Sequence, residues 1–167
     1  MIIAIDVKYY EKEKLAKAVG LLFNWEDEKQ VKVITKSINE INQYKSGEFY
    51  KRELPCIKAI MEDLAHNEIA AIIVDGYVFI DNNNGYGLGG HVYEVYKKKI
   101  PVIGVAKTPF FKNKETVKKI YRGESKNPLY VSSIGVDLDY VSKKIQEMHG
   151  DYRIPTLLKK LDGLTRI

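Results

Sequence analysis

Residues 70–76 read AAIIVDG, and residues 1–6 read MIIAID. Each is a short apolar run closed by an aspartate, Asp75 and Asp6. Runs of this length, apolar throughout rather than alternating, fit strands buried on both faces, and such strands belong to the parallel part of a helix-covered sheet. A third run of the same kind, IPVIGVAK (100–107), ends in Lys107. Three buried strands that each end in a charged residue place three charges where the chain leaves the core.

The remaining chain fills in around them. KLAKAVGLLFNW (14–25) and KQVKVITKSI (29–38) flank the acidic turn at 26–28, so the chain opens as a three-stranded antiparallel meander. NEINQYKSGEFYKRE (39–53) reads as a polar, aromatic loop, with Ser46-Gly47 as a turn signal. LPCIKAIMEDLAHN (54–67) has helical spacing, with Pro55 near the helix start, where its missing N–H is harmless. A loop over 77–90 leads to a helix over 91–99. TVKKIYRG and NPLYVSSIG read as a late strand pair, and 137–150 and 154–164 as closing helices. Alternation of strand and helix after a meander implies a mixed α/β sheet. With Asp6 on its first strand and Asp75 on its fourth, this is the ribonuclease H-like arrangement, in which those two strands are neighbours and the two carboxylates converge. No repeat or linker divides the 167 residues, so one domain over 1–167 is expected.

Composition bounds the function. Hydrophobic residues are 45% and charged residues 29%, ordinary for a globular chain, and the net charge of +5 with a pI near 9.0 suits a polyanionic partner without requiring one. One cysteine, Cys56, excludes an internal disulfide, and no Cys/His zinc spacing exists. The N-terminus has no basic stretch ahead of a long apolar run, and no segment is long enough to span a membrane. The expectation is a cytoplasmic protein without a membrane partner.

Taken singly, each charged residue has an ordinary explanation. Asp6 or Asp75 could cap a loop, Glu53 could favour a helix N-terminus, and Lys107 could simply be solvated. Taken together on neighbouring strands, Asp6 and Asp75 repel one another unless a hard divalent cation, which takes oxygen ligands, lies between them. A lysine beside that site could stabilise charge building on a phosphate. The glycine-rich GYGLGGH (85–91) lacks the Gly-Lys-Ser/Thr ending of a nucleotide-binding loop and fits close backbone approach instead.

Several stretches together resemble the endonuclease V family: IAIDVKY (3–9), YKSGEFYKRELP (44–55), IIVDGY (72–77), GLGGH (87–91), IPVIGVAKT (100–108), PLYVSS (128–133) and YRIP (152–155). They stand in family order at nearly family spacing. The resemblance implies that Asp6, Glu53 and Asp75 are metal ligands and Lys107 an active-site lysine, and that Asp162 lies near the metal. It implies a strand-parting wedge opened by Tyr44 and closed by Gly47, with Gly76 and His91 also at substrate-contacting positions. The implied enzyme is a hydrolase of the deoxyribonuclease V type. It uses Mg2+, with Mn2+ as a substitute, and cuts DNA or RNA 3′ of a deaminated base, as a monomer.

The sequence departs from the family pattern where the lesion would be read. Lys45-Ser46 replaces an isoleucine-proline pair, Tyr77 replaces a histidine, and Asp81-Asn82-Asn83-Asn84 replaces a histidine-proline-arginine stretch. Two other readings stay open: a nucleic-acid-binding protein of the same fold that cuts weakly or not at all, and a nuclease for junctions or flaps.

Overall fold

A computed structural model of the chain describes residues 1–39 and 49–167. Seven strands form one sheet: β1 (Ile2–Tyr10), β2 (Leu15–Phe23), β3 (Lys32–Asn39), β4 (Ala71–Asp75), β5 (Val102–Ala106), β6 (Lys118–Ile120) and β7 (Leu129–Ile134). Their order is β3-β2-β1-β4-β5-β7-β6. The first three form the expected antiparallel meander. β4 then pairs parallel with β1, and β5 parallel with β4, while β7 and β6 close the far edge antiparallel. The first and fourth strands are therefore neighbours, and the sheet is mixed and ribonuclease H-like.

The two-residue period of a strand sorts the sheet into two cores. On one face Ile2, Ala4, Ile73, Ile103 and Val131 pack under α3 (Leu138–Glu147) and α4 (Thr156–Thr165). On the other, Ile3, Ile5, Ile72, Val74 and Val102 pack under α1 (Phe49–Met61) and α2 (Leu88–Val95). Burial on both faces explains why β1, β4 and β5 read as unbroken apolar runs. Among the described residues, no helix is long and apolar enough to cross a membrane.

Several boundaries differ from the sequence reading, first of all β1, which does not close at Asp6 but runs on to Tyr10 because β2 continues to pair with it. α1 already includes Phe49, so part of the expected loop over 39–53 is helical and Pro55 lies inside the helix rather than at its start. A proline there removes one backbone donor, and the buried row Cys56, Ile57, Ile60 and Met61 holds the helix on the sheet regardless. α2 starts at Leu88 rather than His91, because Gly89 and Gly90 are drawn into its first turn. Their N–H groups donate to the carbonyls of Tyr77 and Val78, and a Cβ at Gly89 would stand 2.8 Å from Val78 Cγ2. A short 3-10 segment, Phe111–Thr116, had no expected counterpart.

One buried cation organises the last third of the chain. Arg122 is 5% exposed, and its guanidinium donates to the carbonyls of Gln146, Met148, Gly150, Tyr152 and Arg153. It gathers the segment joining α3 to α4. Arg153 in turn donates to the carbonyls of Lys107, at 2.5 Å, and Pro128, at 2.8 Å, which ties the same segment to the end of β5.

Candidate functional site

Strand parity brings three of the expected residues to one corner. Continuing Ile2 and Ala4 on β1 gives Asp6; continuing Ala71 and Ile73 on β4 gives Asp75; continuing Ile103 and Val105 on β5 gives Lys107. All three fall on the α3/α4 face where the parallel pairing of β1, β4 and β5 runs out: Asp75 ends β4, Lys107 follows the end of β5, and Asp6 lies in mid-strand, because β1 runs on to Tyr10 paired with β2. Ile5 pairs with Val74 and Asp75 with Val105, so the aspartates follow one another across the sheet. Asp6, Asp75 and Lys107 line one cavity, whose wall is Ile154, Leu158 and Leu161.

The fourth residue arrives from the opposite face. Glu53 is carried by α1, is 7% exposed, and lies beyond the helix's first turn, which contains no acidic residue. Helix-end electrostatics therefore do not account for it. Its neighbours do: the Tyr9 hydroxyl lies beside its carboxylate, and the charges of Asp6 and Asp75 reach it. Arg52, the preceding residue, is itself buried, pairs with Glu11 and lies 3.6 Å from the centre of the Tyr9 ring.

Burial dominates the electrostatics. Asp6 is pushed up to about 6, first by burial and then by the charge of Asp75, against the pull of the Val7 N–H that its Oδ1 accepts at 2.9 Å. Glu53 is pushed up to about 7, again chiefly by burial, with the Tyr9 contact opposing it. Asp75 is exposed at the end of β4, yet partial loss of water around its carboxylate raises it while Lys107 pulls it back down. Asp162, on α4, adds its charge to both aspartates, but its own carboxylate is engaged with Arg166, at 3.3 Å. Three carboxylates are thus held in surroundings that disfavour their charge, with one ammonium in reach. Among the described residues no three Asp, Glu, His or Cys side chains close around one point as a ready-made metal cage.

Gly76 follows Asp75 with φ +136°, and a Cβ there would meet nothing within 4 Å. The glycine answers the backbone, not crowding: it lets the chain turn sharply out of the sheet while its N–H still donates to Val105, at 3.1 Å. The turn opens into a groove that begins at Asp75 and Gly76 and is lined by Tyr50, Tyr77, Phe79, Tyr86, His91 and Phe110. His91 stacks flat on Tyr50, with centroids 3.5 Å apart and planes at 13°, and meets Tyr86 edge-on. Burial lowers the His91 pKa and favours the neutral ring. The stretch 81–84 forms the tip of the groove wall: Asp81 Oδ1 accepts the N–H groups of Asn83, at 2.8 Å, and Gly85, at 2.9 Å.

Sequence reading missed Tyr9, Arg52 and Arg153, and most of the groove. Tyr9 carried a signal, since it shares the parity of Ile3 and Ile5 yet ends in a hydroxyl. The groove rings come from separate segments with no common spacing. Tyr44 and Gly47, the expected wedge, lie outside the described residues.

The geometry has close counterparts. A crystal structure of Ciona intestinalis endonuclease V, in complex with a 24mer DNA containing an inosine followed by a ribo-adenosine, superposes with a TM-score of 0.82 at 20% identity, over 99% of this chain and 84% of that one. Human endonuclease V gives 0.72 at 18%, over 99% and 82%. The Streptomyces avermitilis enzyme gives 0.72 at 23%, over 99% and 79%. At such identities these likenesses establish the fold. No curated protein matches the chain in sequence. The family model for endonuclease V matches residues 1–162, nearly the whole chain and every residue of the corner just described, and the chain belongs to the endonuclease V family.

Proposed function

We propose that the chain is a magnesium-dependent endonuclease, with manganese as a substitute, that cuts nucleic acid on the 3′ side of a deaminated base, hypoxanthine above all. The whole of residues 1–167 would act as one nuclease domain, as a cytoplasmic monomer. The observation that carries this reading is the meeting of Asp6 and Asp75, from adjacent parallel strands, with Glu53 arriving from α1. Buried carboxylates that retain protons at about 6 and about 7 are costly without a counter-charge. An all-oxygen donor set suits a hard divalent cation. A closed cage is unnecessary, because magnesium is usually held by one or two carboxylates, waters and substrate phosphate.

Asp6, Asp75 and Glu53 would hold the cation, with Asp162 beside them. When bound, the cation supplies an activated water and stabilises the departing 3′ oxygen. Lys107, fixed by the Arg153 bond to its carbonyl, would neutralise charge accumulating on the phosphate. Leu158, Leu161 and Ile154 keep bulk water from the back of the cavity, so these charges act at low screening. The aromatic groove beginning at Asp75 would receive a base turned out of the stack, and the flat Tyr50–His91 pair offers a ring face to it. The inosine in the DNA held by the Ciona protein supports hypoxanthine as the base. Tyr44 and Gly47 would form the wedge that fills the gap.

The test is a cleavage assay on matched inosine, uracil, undamaged and junction substrates, as DNA and as RNA, with magnesium, manganese or chelator. The expected result is a nick 3′ of inosine that disappears with chelator. Equal nicking of undamaged strands, or preference for the junction, would overturn the assignment of substrate, and binding without any cutting would overturn the assignment as an enzyme.

A further inference from the structure

Beyond the groove lies a second feature. Tyr77, Pro109 and Phe110 form one wall of the base-sized groove and also one wall of a separate groove, which continues past Lys114, Lys119 and Tyr130. They form a ridge between the two. On it Tyr77 and Phe110 have ring centres 6.2 Å apart, and Phe110 and Phe111 6.0 Å apart. Phe111 is 71% exposed and Phe110 37%. One exposed ring is ordinary; two adjacent ones, with the half-buried Tyr77 behind them on the side of Asp75, are a surface.

The ridge is anchored. The Tyr77 hydroxyl donates to the Thr108 carbonyl at 2.5 Å, Asn113 Nδ2 donates to the Phe79 carbonyl at 2.8 Å, and the Glu115 N–H donates to Asn82 Oδ1 at 3.0 Å. The segment carrying the rings is thus tied to the wall of the first groove at several points. Its charge is mostly positive. Lys112 lies 5.9 Å from the Phe111 ring centre, and among the described residues Lys112, Lys114 and Lys119 have no ion-pair partner. Of the nearby acids, Asp81 is committed to its turn and Glu115 is exposed.

We infer that this ridge is a stacking platform for unpaired nucleic-acid strand, which adjoins the base-receiving groove, shares Tyr77 and Phe110 with it, and extends beyond it through Phe111. Bases in a duplex present only their edges, because their faces are covered by neighbours. Unpaired bases present faces that any aromatic ring can stack on, and lysines between the rings follow the phosphates. Rings and lysines also suit an anionic membrane surface, but continuity with the groove at Asp75 favours nucleic acid. The inference rests on the nuclease reading only for the direction from which the strand arrives.

The experiment measures anisotropy of a labelled oligothymidylate and of an undamaged duplex of the same length, with calcium in place of magnesium. The Phe110→Ala/Phe111→Ala variant is expected to lose about tenfold or more in affinity for the single strand, with little change on the duplex. Phe111→Ala alone, at an exposed position, gives a smaller loss without endangering the fold, and Phe111→Trp restores it. Lys114→Ala and Lys119→Ala each reduce the logarithmic salt slope by about 0.7. Equal losses on both nucleic acids, or none, overturn the platform, as does a ring-dependent loss seen only with phosphatidylserine vesicles. Wild-type cutting of an inosine substrate is measured alongside. If cutting fails but oligothymidylate binding depends on the rings, the nuclease reading falls and the platform stands; the reverse pattern removes the platform alone.

Discussion

The carboxylate corner and the aromatic groove meet at Asp75 but are built differently. Asp6, Asp75 and Lys107 are placed on or directly after three hydrogen-bonded strands, at positions set by sheet register. The groove is assembled from α1, the 77–87 turn, the start of α2 and the segment after β5. A register cannot slip by even one residue without turning every side chain to the other face, whereas turns accept substitution and insertion. The family's departures in this chain fall accordingly: Tyr77 and the 81–84 stretch change the groove, and the acids and lysine stay. On the proposed function, chemistry would be placed on the rigid part and recognition on the adjustable part.

That contrast can be broken by substitution. Asp75→Asn removes a charge without changing shape, and turnover is expected to fall by roughly a thousandfold or more, while nucleic-acid binding in calcium is kept or tightened. Wild-type nicking by this variant would show that the corner does not hold the cation. His91→Ala should act on the other region alone. It removes the ring stacked on Tyr50 and is expected to lower the preference for inosine over undamaged strand by about tenfold, leaving the magnesium concentration for half-maximal cutting unchanged. A shifted magnesium requirement would mean that the two regions are not separable.

A smaller effect sharpens the electrostatic side. Without metal, Asp6 and Glu53 titrate at about 6 and about 7 in the fold, against 3.8 and 4.5 for the unperturbed groups. The folded chain then binds more protons than the unfolded chain across that interval. Stability contributed by these two groups is therefore present below about pH 4 and lost as pH rises through 6 and 7. Melting of the metal-free protein should fall by a few degrees, at about 2–4 °C per kcal/mol, and magnesium should reverse the fall above pH 7. Asp6→Asn should flatten the lower half of the window. A melting temperature that rises steadily across this interval would contradict the burial of these carboxylates.

Legibility in the sequence follows the same division. The central strands are readable because burial on both faces leaves no polar residue until that burial ends, so Asp75 and Lys107 mark the ends of β4 and β5, while Asp6 marks only where β1 loses its parallel neighbour and not the end of the strand at Tyr10. Glu53 was reached through family resemblance, and its surroundings were misread because Pro55 looks like a helix start. α1 instead begins earlier and tolerates the proline through its buried face. The start of α2 is hidden for a related reason: Gly89 and Gly90 are poor helix formers, and the close approach of Val78 to Gly89 and of the Tyr86 ring to Gly90, neither of them a helix signal, explains them. The Tyr50–His91 stack joins residues of two helices, and no periodicity within either one announces it.

The pairing of β1 with β4 also governs when activity can appear. Ile2 pairs early with Phe23 of β2, but its parallel partner Ala71 comes only after the meander and α1, and Lys107 and Asp162 come later still. Contacts so far apart in sequence form slowly, since a long loop must close before they are gained. During synthesis, Asp6 therefore leaves the ribosome long before it has a companion. The growing chain, passing close to messenger and ribosomal RNA, carries its acids and lysine as scattered residues that cannot cut. On the proposed function, topology would delay activity: Asp6, Asp75, Lys107 and Asp162 would come together only once nearly all of residues 1–167 have been translated.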